Sequence, residues 1–179
     1  MKAATNYLAI LLLALGLTAC GRAEPKPATT VLLVRHAEKA SEAEDSPLTE
    51  AGSQRAQALA RAAEGAGVAA IYSSQFRRNR DTARPLSERA GVGVTEAPVN
   101  LSSPGDYGKT LARDILDKHA GRTVVVVGHA NTVAATVEAL TGRPAQIEGV
   151  EYHDLFIVTV PPAGPAGLIK AQYGLRAGG

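Results

Sequence analysis

The 179-residue chain contains no tryptophan, one cysteine and one methionine. With Cys20 as its lone cysteine it can form no intrachain disulfide, so its fold rests on its core alone. No Lys/Arg-rich block interleaved with aromatics occurs and the formal net charge is only +2, so nucleic acid is not an expected partner. Neither a His-x-x-x-His nor a Cys-x-x-Cys spacing is present, so no metal site and no cofactor is expected. No internal repeat is evident. What remains is ordinary for a folded protein: 45% hydrophobic and 20% charged residues, in a chain long enough for one domain with a sizeable core.

The first residues read as a targeting segment rather than as part of that domain. Met1-Lys2 is a short positive region, Tyr7 to Leu17 is apolar, and Leu17-Thr18-Ala19-Cys20 closes it. This apolar stretch falls short of the about 20 residues a spanning helix needs, which makes residues 1–19 an export signal. The closing tetrad resembles the bacterial lipobox. That resemblance implies cleavage before Cys20 and a lipidated cysteine at the new N-terminus, anchoring an exported protein to a membrane of the bacterial cell envelope. Each buried CH₂ of its acyl chains, palmitate or a similar fatty acid, would contribute about 0.8 kcal/mol. Residues 20–29 (Cys-Gly-Arg-Ala-Glu-Pro-Lys-Pro-Ala-Thr) then form a tether, residues 30–175 the domain and residues 176–179 a tail.

Within the domain, two apolar runs match each other. Val31-Leu32-Leu33-Val34 leads into Arg35-His36-Ala37-Glu38, and Val124-Val125-Val126-Val127 leads into Gly128-His129-Ala130. Such runs are strands buried on both faces of a parallel sheet. Each has a histidine just past its C-terminal end, the edge at which open α/β sheets bind ligands. Between them the pattern predicts a helix N-capped by Thr49 and running to about Glu64, then a strand at Val68–Tyr72. A helix over Arg77–Ala90, bent or divided by Pro85, and a short strand at Gly91–Val94 follow. Residues 96–106 read as a loop, and Leu111, Ile115 and Leu116 mark a helix ending near Gly121. Beyond the second histidine, Val133, Val137 and Leu140 share one helical face. Strands at Leu155–Val160 and Leu168–Tyr173 are too close for a parallel crossover and form an antiparallel hairpin. The expected fold is a three-layer α/β/α sandwich, mostly parallel, with an antiparallel C-terminal hairpin.

Arg35-His36 places a permanent cation beside a potential nucleophile or base. A histidine attacks only through a neutral ring nitrogen, and the guanidinium opposes its protonation while offering paired donors to a phosphoryl group. A third rim element, Ser73-Ser74-Gln75-Phe76-Arg77-Arg78-Asn79-Arg80, puts arginines at a helix start, where the dipole disfavours cations; a bound anion would resolve that conflict. His119, at a helix C-terminus, and His153, before a strand, read as structural or surface residues.

Arg35-His36-Ala37-Glu38 resembles the Arg-His-Gly/Ala signature of the histidine phosphatase superfamily, the phosphoglycerate-mutase-like fold. Ser74 to Pro85 resembles its Ser-x-Leu-x-Arg-x-x-x-Thr-Ala block, with Phe76, Arg78, Thr82 and Ala83 in register. Pro47 to Gly52 resembles its Leu-Thr-x-x-Gly helix start, and Gly128-His129-Ala130 its last block. The resemblance implies a phosphatase acting on a phosphomonoester or phosphoramidate, a small phosphorylated substrate, without a metal. His36 would be the phosphorylated nucleophile, with Arg35, Arg78 and His129 around the phosphoryl oxygens. The chain departs from the mutases of the family at Val99-Asn100-Leu101-Ser102-Ser103, where they supply a glutamate acid. This makes it more similar to the short bacterial members, and leaves Asp106 and Glu38 as candidate proton donors. The same departure motivates an alternative: a weakly active or inactive lipoprotein that binds a phosphorylated ligand in the same pocket.

Overall fold

The computed structural model describes residues 26–100, 102–148 and 151–174. Strand β1 (Thr29–Arg35) is followed by α1 (Glu50–Ala62), β2 (Val68–Ser73), α2 (Arg77–Ala90) and β3 (Val94–Glu96). Then come α3 (Pro104–Lys118), β4 (Thr123–Gly128), α4 (Ala130–Thr141), β5 (Asp154–Val160) and β6 (Gly167–Gln172). They build one mixed sheet in the order β3-β2-β4-β1-β5-β6. The first four strands in that order run parallel, β5 lies antiparallel to β1, and β6 antiparallel to β5. The α/β sandwich with its antiparallel C-terminal hairpin is the architecture the sequence leads one to expect.

The β-branched strands alternate their side chains between two cores, as a twofold repeat requires. Val31, Leu33, Val124 and Val126 face Leu111, Ile115, Val133 and Val137 of α3 and α4. Leu32, Val34, Val125 and Val127 face Leu59 of α1 and Leu86 of α2. Helix α1 therefore leaves β1 on one face while α4 leaves the adjacent β4 on the other. Between two such neighbours a crevice opens at the C-terminal ends of the strands.

Two close approaches fix the helices. Thr49 Oγ1 accepts from Gly52 N at 2.9 Å and caps α1. A Cβ on Gly52 would lie 2.4 Å from the carbonyl oxygen of Glu38, so only glycine lets α1 seat against the loop that follows β1. A Cβ on Gly108 would come within 2.6 Å of the Ala135 backbone, where α3 crosses α4.

The structure also adjusts several expectations. Thr29, assigned to the tether, is the first residue of β1, buried with its Oγ1 accepting from Gly121 N at 2.9 Å. The third strand lies at Val94–Glu96, overlapping the predicted segment only at Val94, because Gly91 is spent as the left-handed C-cap of α2 at φ 65°. Pro85 lies inside α2 without dividing it. Part of the expected loop 96–106 is already helical, since Pro104 occupies the first turn of α3, where its missing N–H costs nothing. Residues 1–25, with Cys20, and the tail from 175 lie outside the described residues. Among the described residues no helix is long and apolar enough to cross a membrane.

Candidate active site

The in-register pairing of three strands makes the site. In the β1–β4 ladder Arg35 faces Gly128, and His36 N continues it by donating to Gly128 O at 2.8 Å. In the β2–β4 ladder Ser73 faces Val127, so Ser74 comes level with Gly128, one residue before His129. The His36 and His129 rings stand 5.3 Å apart between centroids, edge to face. Ser74 Oγ lies 3.0 Å from His129 Nε2. Both histidines are buried, at 4% and 6% exposure, so they line the floor of a crevice rather than its mouth.

A hydrogen bond sets the tautomer of His36. Its Nδ1 lies 2.8 Å from Ala37 O, and a carbonyl only accepts, so Nδ1 carries the proton and Nε2 keeps its lone pair. Burial, reinforced by Arg35 and Arg78, pulls the His36 pKa down to about 4. For His129 burial again dominates, followed by His36 and the two arginines, giving about 3. Both rings are neutral at pH 7. Desolvation thus does more than the arginine expected from sequence to keep His36 unprotonated.

Arg78 is the arginine of its cluster that enters this floor. It is buried, its guanidinium lies 4.5 Å from the centre of the Phe76 ring, and Phe76 in turn packs edge-on against His129. Arg78 Nη1 donates to Glu44 O at 2.6 Å, while its buried Nε has no hydrogen-bond partner. Arg77 and Arg80 are exposed and pair with Asp81 and Glu96. The anion anticipated at the α2 terminus is supplied internally: Asp45 Oδ1 accepts from Arg77 N at 2.9 Å. That end of α2 therefore needs no external anion.

Residues with no readable pattern brace this floor. Asn79, fully buried, donates through Nδ2 to Val127 O and Gly128 O at 3.1 and 2.9 Å, fastening α2 to the end of β4. Thr82 Oγ1 accepts from Ala37 N at 2.9 Å and donates to Arg78 O at 2.7 Å, fastening it to the end of β1. Gln75 pairs reciprocally with Val99, donating to its carbonyl at 3.0 Å and accepting from its N–H at 2.9 Å. It thereby holds the loop after β3 against the pocket. Of these only Thr82 stood in a recognisable motif register. Asp45, Asn79 and Gln75 were ordinary polar residues until the tertiary contacts appeared.

The two candidate proton donors fare differently from the four floor residues. Glu38 turns to α1, where Arg55 Nε and Nη2 hold its carboxylate at 2.7–3.0 Å and Arg55 Nη1 reaches Tyr173 O. Burial works against its ionisation, but the Arg55 hydrogen bonds and charge outweigh it, leaving the pKa below the ordinary carboxylate value. A carboxylate held ionised has no proton to give, so Glu38 is a brace and not an acid. Asp106 stands exposed in the first turn of α3, where a negative charge suits the helix dipole.

Tyr152, in the segment before β5, was missed altogether by sequence reasoning. Its ring lies under Arg35, with Cζ 4.2 Å from the centroid, and 5.9 Å from the ring of His36. His119 packs on Tyr72, its Nε2 3.1 Å from the phenol oxygen, in keeping with a structural place away from the crevice. Among the described residues no group of three or more His, Cys, Asp or Glu side chains could hold a metal ion.

A family model described as histidine phosphatase superfamily (branch 1) matches residues 31–99. No curated protein matches the sequence significantly. The fold is similar to that of YhfR from Bacillus stearothermophilus, at 22% identity and a TM-score of 0.65, covering 79% of this chain and 95% of that one. The mycobacterial glucosyl-3-phosphoglycerate phosphatase Rv2419c, solved as a complex with VO3, is similar at 18% identity and a TM-score of 0.65, over 81% and 99% of the two chains. The protein histidine phosphatase SixA, solved with tungstate, is similar at 16% identity and a TM-score of 0.60, over 80% and 96%.

Proposed function

We propose that the chain is a member of the histidine phosphatase superfamily, whose model matches residues 31–99, and that it hydrolyses a phosphomonoester or phosphoramidate through a phosphohistidine on His36. One observation carries the reading: Nδ1 of His36 is tied to Ala37 O, so the lone pair of a neutral ring is left on Nε2, on a floor shared with Arg35, Arg78 and His129. Nucleophilic attack by Nε2 on phosphorus forms the P–N bond as the bond to the leaving group breaks. Arg35 and Arg78 bring two fixed positive charges to the equatorial oxygens, where charge builds up in the transition state. His129 is neutral by burial and by its cationic neighbours. A phosphoryl dianion set between the rings favours its protonated form, so that His129 adds charge as well as a hydrogen bond once substrate binds. Water then cleaves the P–N bond and frees His36.

That two proteins of similar fold were solved with VO3 and tungstate, oxyanions of phosphate-like shape, supports a phosphoryl ligand for this chain. The test is a panel of phosphomonoesters and phosphoramidates with His36→Ala as control. Turnover that falls by about 10³-fold or more in the variant, with an acid-labile, base-stable phosphoryl group trapped on the wild-type protein, is the expected result. Undiminished hydrolysis by the variant would refute it. Glu38, held by Arg55, and the exposed Asp106 favour one second reading, a lipoprotein that binds a phosphorylated ligand with little or no turnover. Phosphate affinity without hydrolysis across the whole panel would establish that reading instead.

The export reading belongs to the same proposal. Residues 1–19 are removed, Cys20 is lipidated, and the tether leads to Thr29 at the start of β1. The crevice is at the other end of that strand, about 20 Å away at the usual rise per residue. The tether therefore enters the domain at the end of β1 opposite the crevice. Incorporation of labelled palmitate by the wild-type chain, and its loss in Cys20→Ser, is the expected result.

A further inference from the structure

The floor described above has a nucleophile and fixed cations, but neither carboxylate near it in sequence is suited to protonate a leaving group. Glu38 is held ionised by Arg55. Asp106 is exposed on α3. Tyr152 carries a phenol hydroxyl that the structure brings to the same place, where the buried Ser74 hydroxyl is already engaged with His129. The Arg35 guanidinium lies on its ring, Arg35 Nη2 approaches its oxygen at 3.5 Å, and the ring is tilted 54° against that of His36.

The direction of the Arg35 contact matters. A guanidinium has only N–H groups, so the phenol oxygen accepts and its own proton is committed elsewhere than to Arg35. The ring is also held from both sides in sequence. Lys170 on β6 binds Asp154 at 2.8 Å and reaches Glu151 at 3.8 Å, while His153 O accepts from Tyr173 N at 2.9 Å. Asp154 is itself buried, at 2% exposure, so the half-exposed Lys170 ties this segment to the folded core at that end. A segment of irregular backbone fastened on either side of one tyrosine is what a preorganised catalytic group requires.

Resting on the phosphatase reading above, the geometry points to Tyr152 as the proton donor to the leaving group. As His36 Nε2 bonds to phosphorus and the P–O bond to the leaving group breaks, the departing oxygen takes the Tyr152 hydroxyl proton and leaves as an alcohol. The phenolate so formed lies against Arg35, whose charge stabilises it. In the second half water attacks phosphorus and passes a proton to the phenolate, and the electron pair of the breaking P–N bond returns to Nε2. One water is consumed, one alcohol and one phosphate are released, and Tyr152 and His36 end as they began. The substrate class follows. A protein with such a donor handles esters of poorly acidic alcohols, which need protonation, and not only phosphoramidates or aryl esters whose leaving groups depart readily.

The experiment measures kcat/KM of the full chain on substituted phenyl phosphates, from p-nitrophenyl to p-methylphenyl phosphate, for the wild-type protein, Tyr152→Phe and His36→Ala. Phenylalanine keeps the ring on Arg35, and thermal unfolding of the variant verifies that the fold is kept. The expected result is a Tyr152→Phe variant nearly as active as wild type on p-nitrophenyl phosphate but about 100-fold weaker on the p-methyl ester, the size of a lost general acid. Equal rates for wild type and Tyr152→Phe across the series, or an equal loss on every member, overturns the proton-donor role; in either case the His36→Ala data still stand for the nucleophile. Activity that survives in His36→Ala while Tyr152→Phe steepens the series overturns the His36 reading and the donor role built on it. Absence of wild-type turnover on every ester overturns both together.

Discussion

The floor of the crevice and its rim are built by different means. Arg35, His36, Ser74 and His129 lie at or one step beyond the ends of three paired strands, and Arg78 lies in the first turn of a helix. Their places follow from sheet register, so a displacement of any one requires slipping a ladder with buried residues on both faces. The rim has no such rule. Residues 39–47 close on themselves through Ala40 N to Pro47 O at 2.8 Å and Ser41 N to Ser46 Oγ at 2.9 Å, and the loop after β3 hangs on Gln75. Individual polar contacts set the rim, and each can change without the sheet noticing. The chemistry should therefore be brittle at the floor and adjustable at the rim.

Arg78→Ala makes the strongest break within that comparison. It removes a buried cation from the floor, and kcat should fall by about 10²–10³-fold, as for loss of one transition-state donor, while the far-ultraviolet spectrum is unchanged. Acid comes next. Burial holds both floor histidines below the roughly 6.5 of an unfolded histidine, so the unfolded chain takes up protons that the folded one refuses. Stability is full above pH 6.5 or so, declines as the pH falls toward about 4 and about 3, and levels off below. Urea unfolding at pH 7 and pH 5 should differ by on the order of a few kcal/mol, and less in His36→Ala. Gly52→Ala strikes the seam between floor and helix: its Cβ meets backbone at Glu38, and about 1–3 kcal/mol of stability should be lost by denaturant titration. Gln75→Ala, a rim change, should have the smallest effect. Two hydrogen bonds to Val99 disappear, so KM should rise a few-fold with kcat nearly kept.

The same division governs what could be read from the sequence. Valine-rich strands ending in histidine declare both their burial and their edge, so the sheet, its hairpin and the neighbourhood of His36 and His129 were legible before any coordinates. Arg78 was legible only through its register with Ser74 and Thr82. Asn79, Asp45 and Tyr152 were not, because nothing local distinguishes a polar residue that will meet a strand end from one that will meet water. Glu38 shows the converse. Its position beside His36 in sequence suggested an acid, yet the partner that decides its charge, Arg55, stands on α1, seventeen residues on.

The place of β1 in the sheet also has a consequence for assembly. The first strand of the domain pairs with β4 on one side and β5 on the other, residues some ninety and more than a hundred positions downstream. Long loops must close before either ladder can form, and such non-local pairing is slow. A chain made from its N-terminus thus holds this strand without its sheet neighbours until β4 and then β5 have been made. His36, at the end of that strand, is accordingly among the first residues of the domain to be synthesised and takes its place only once β4 has paired with β1.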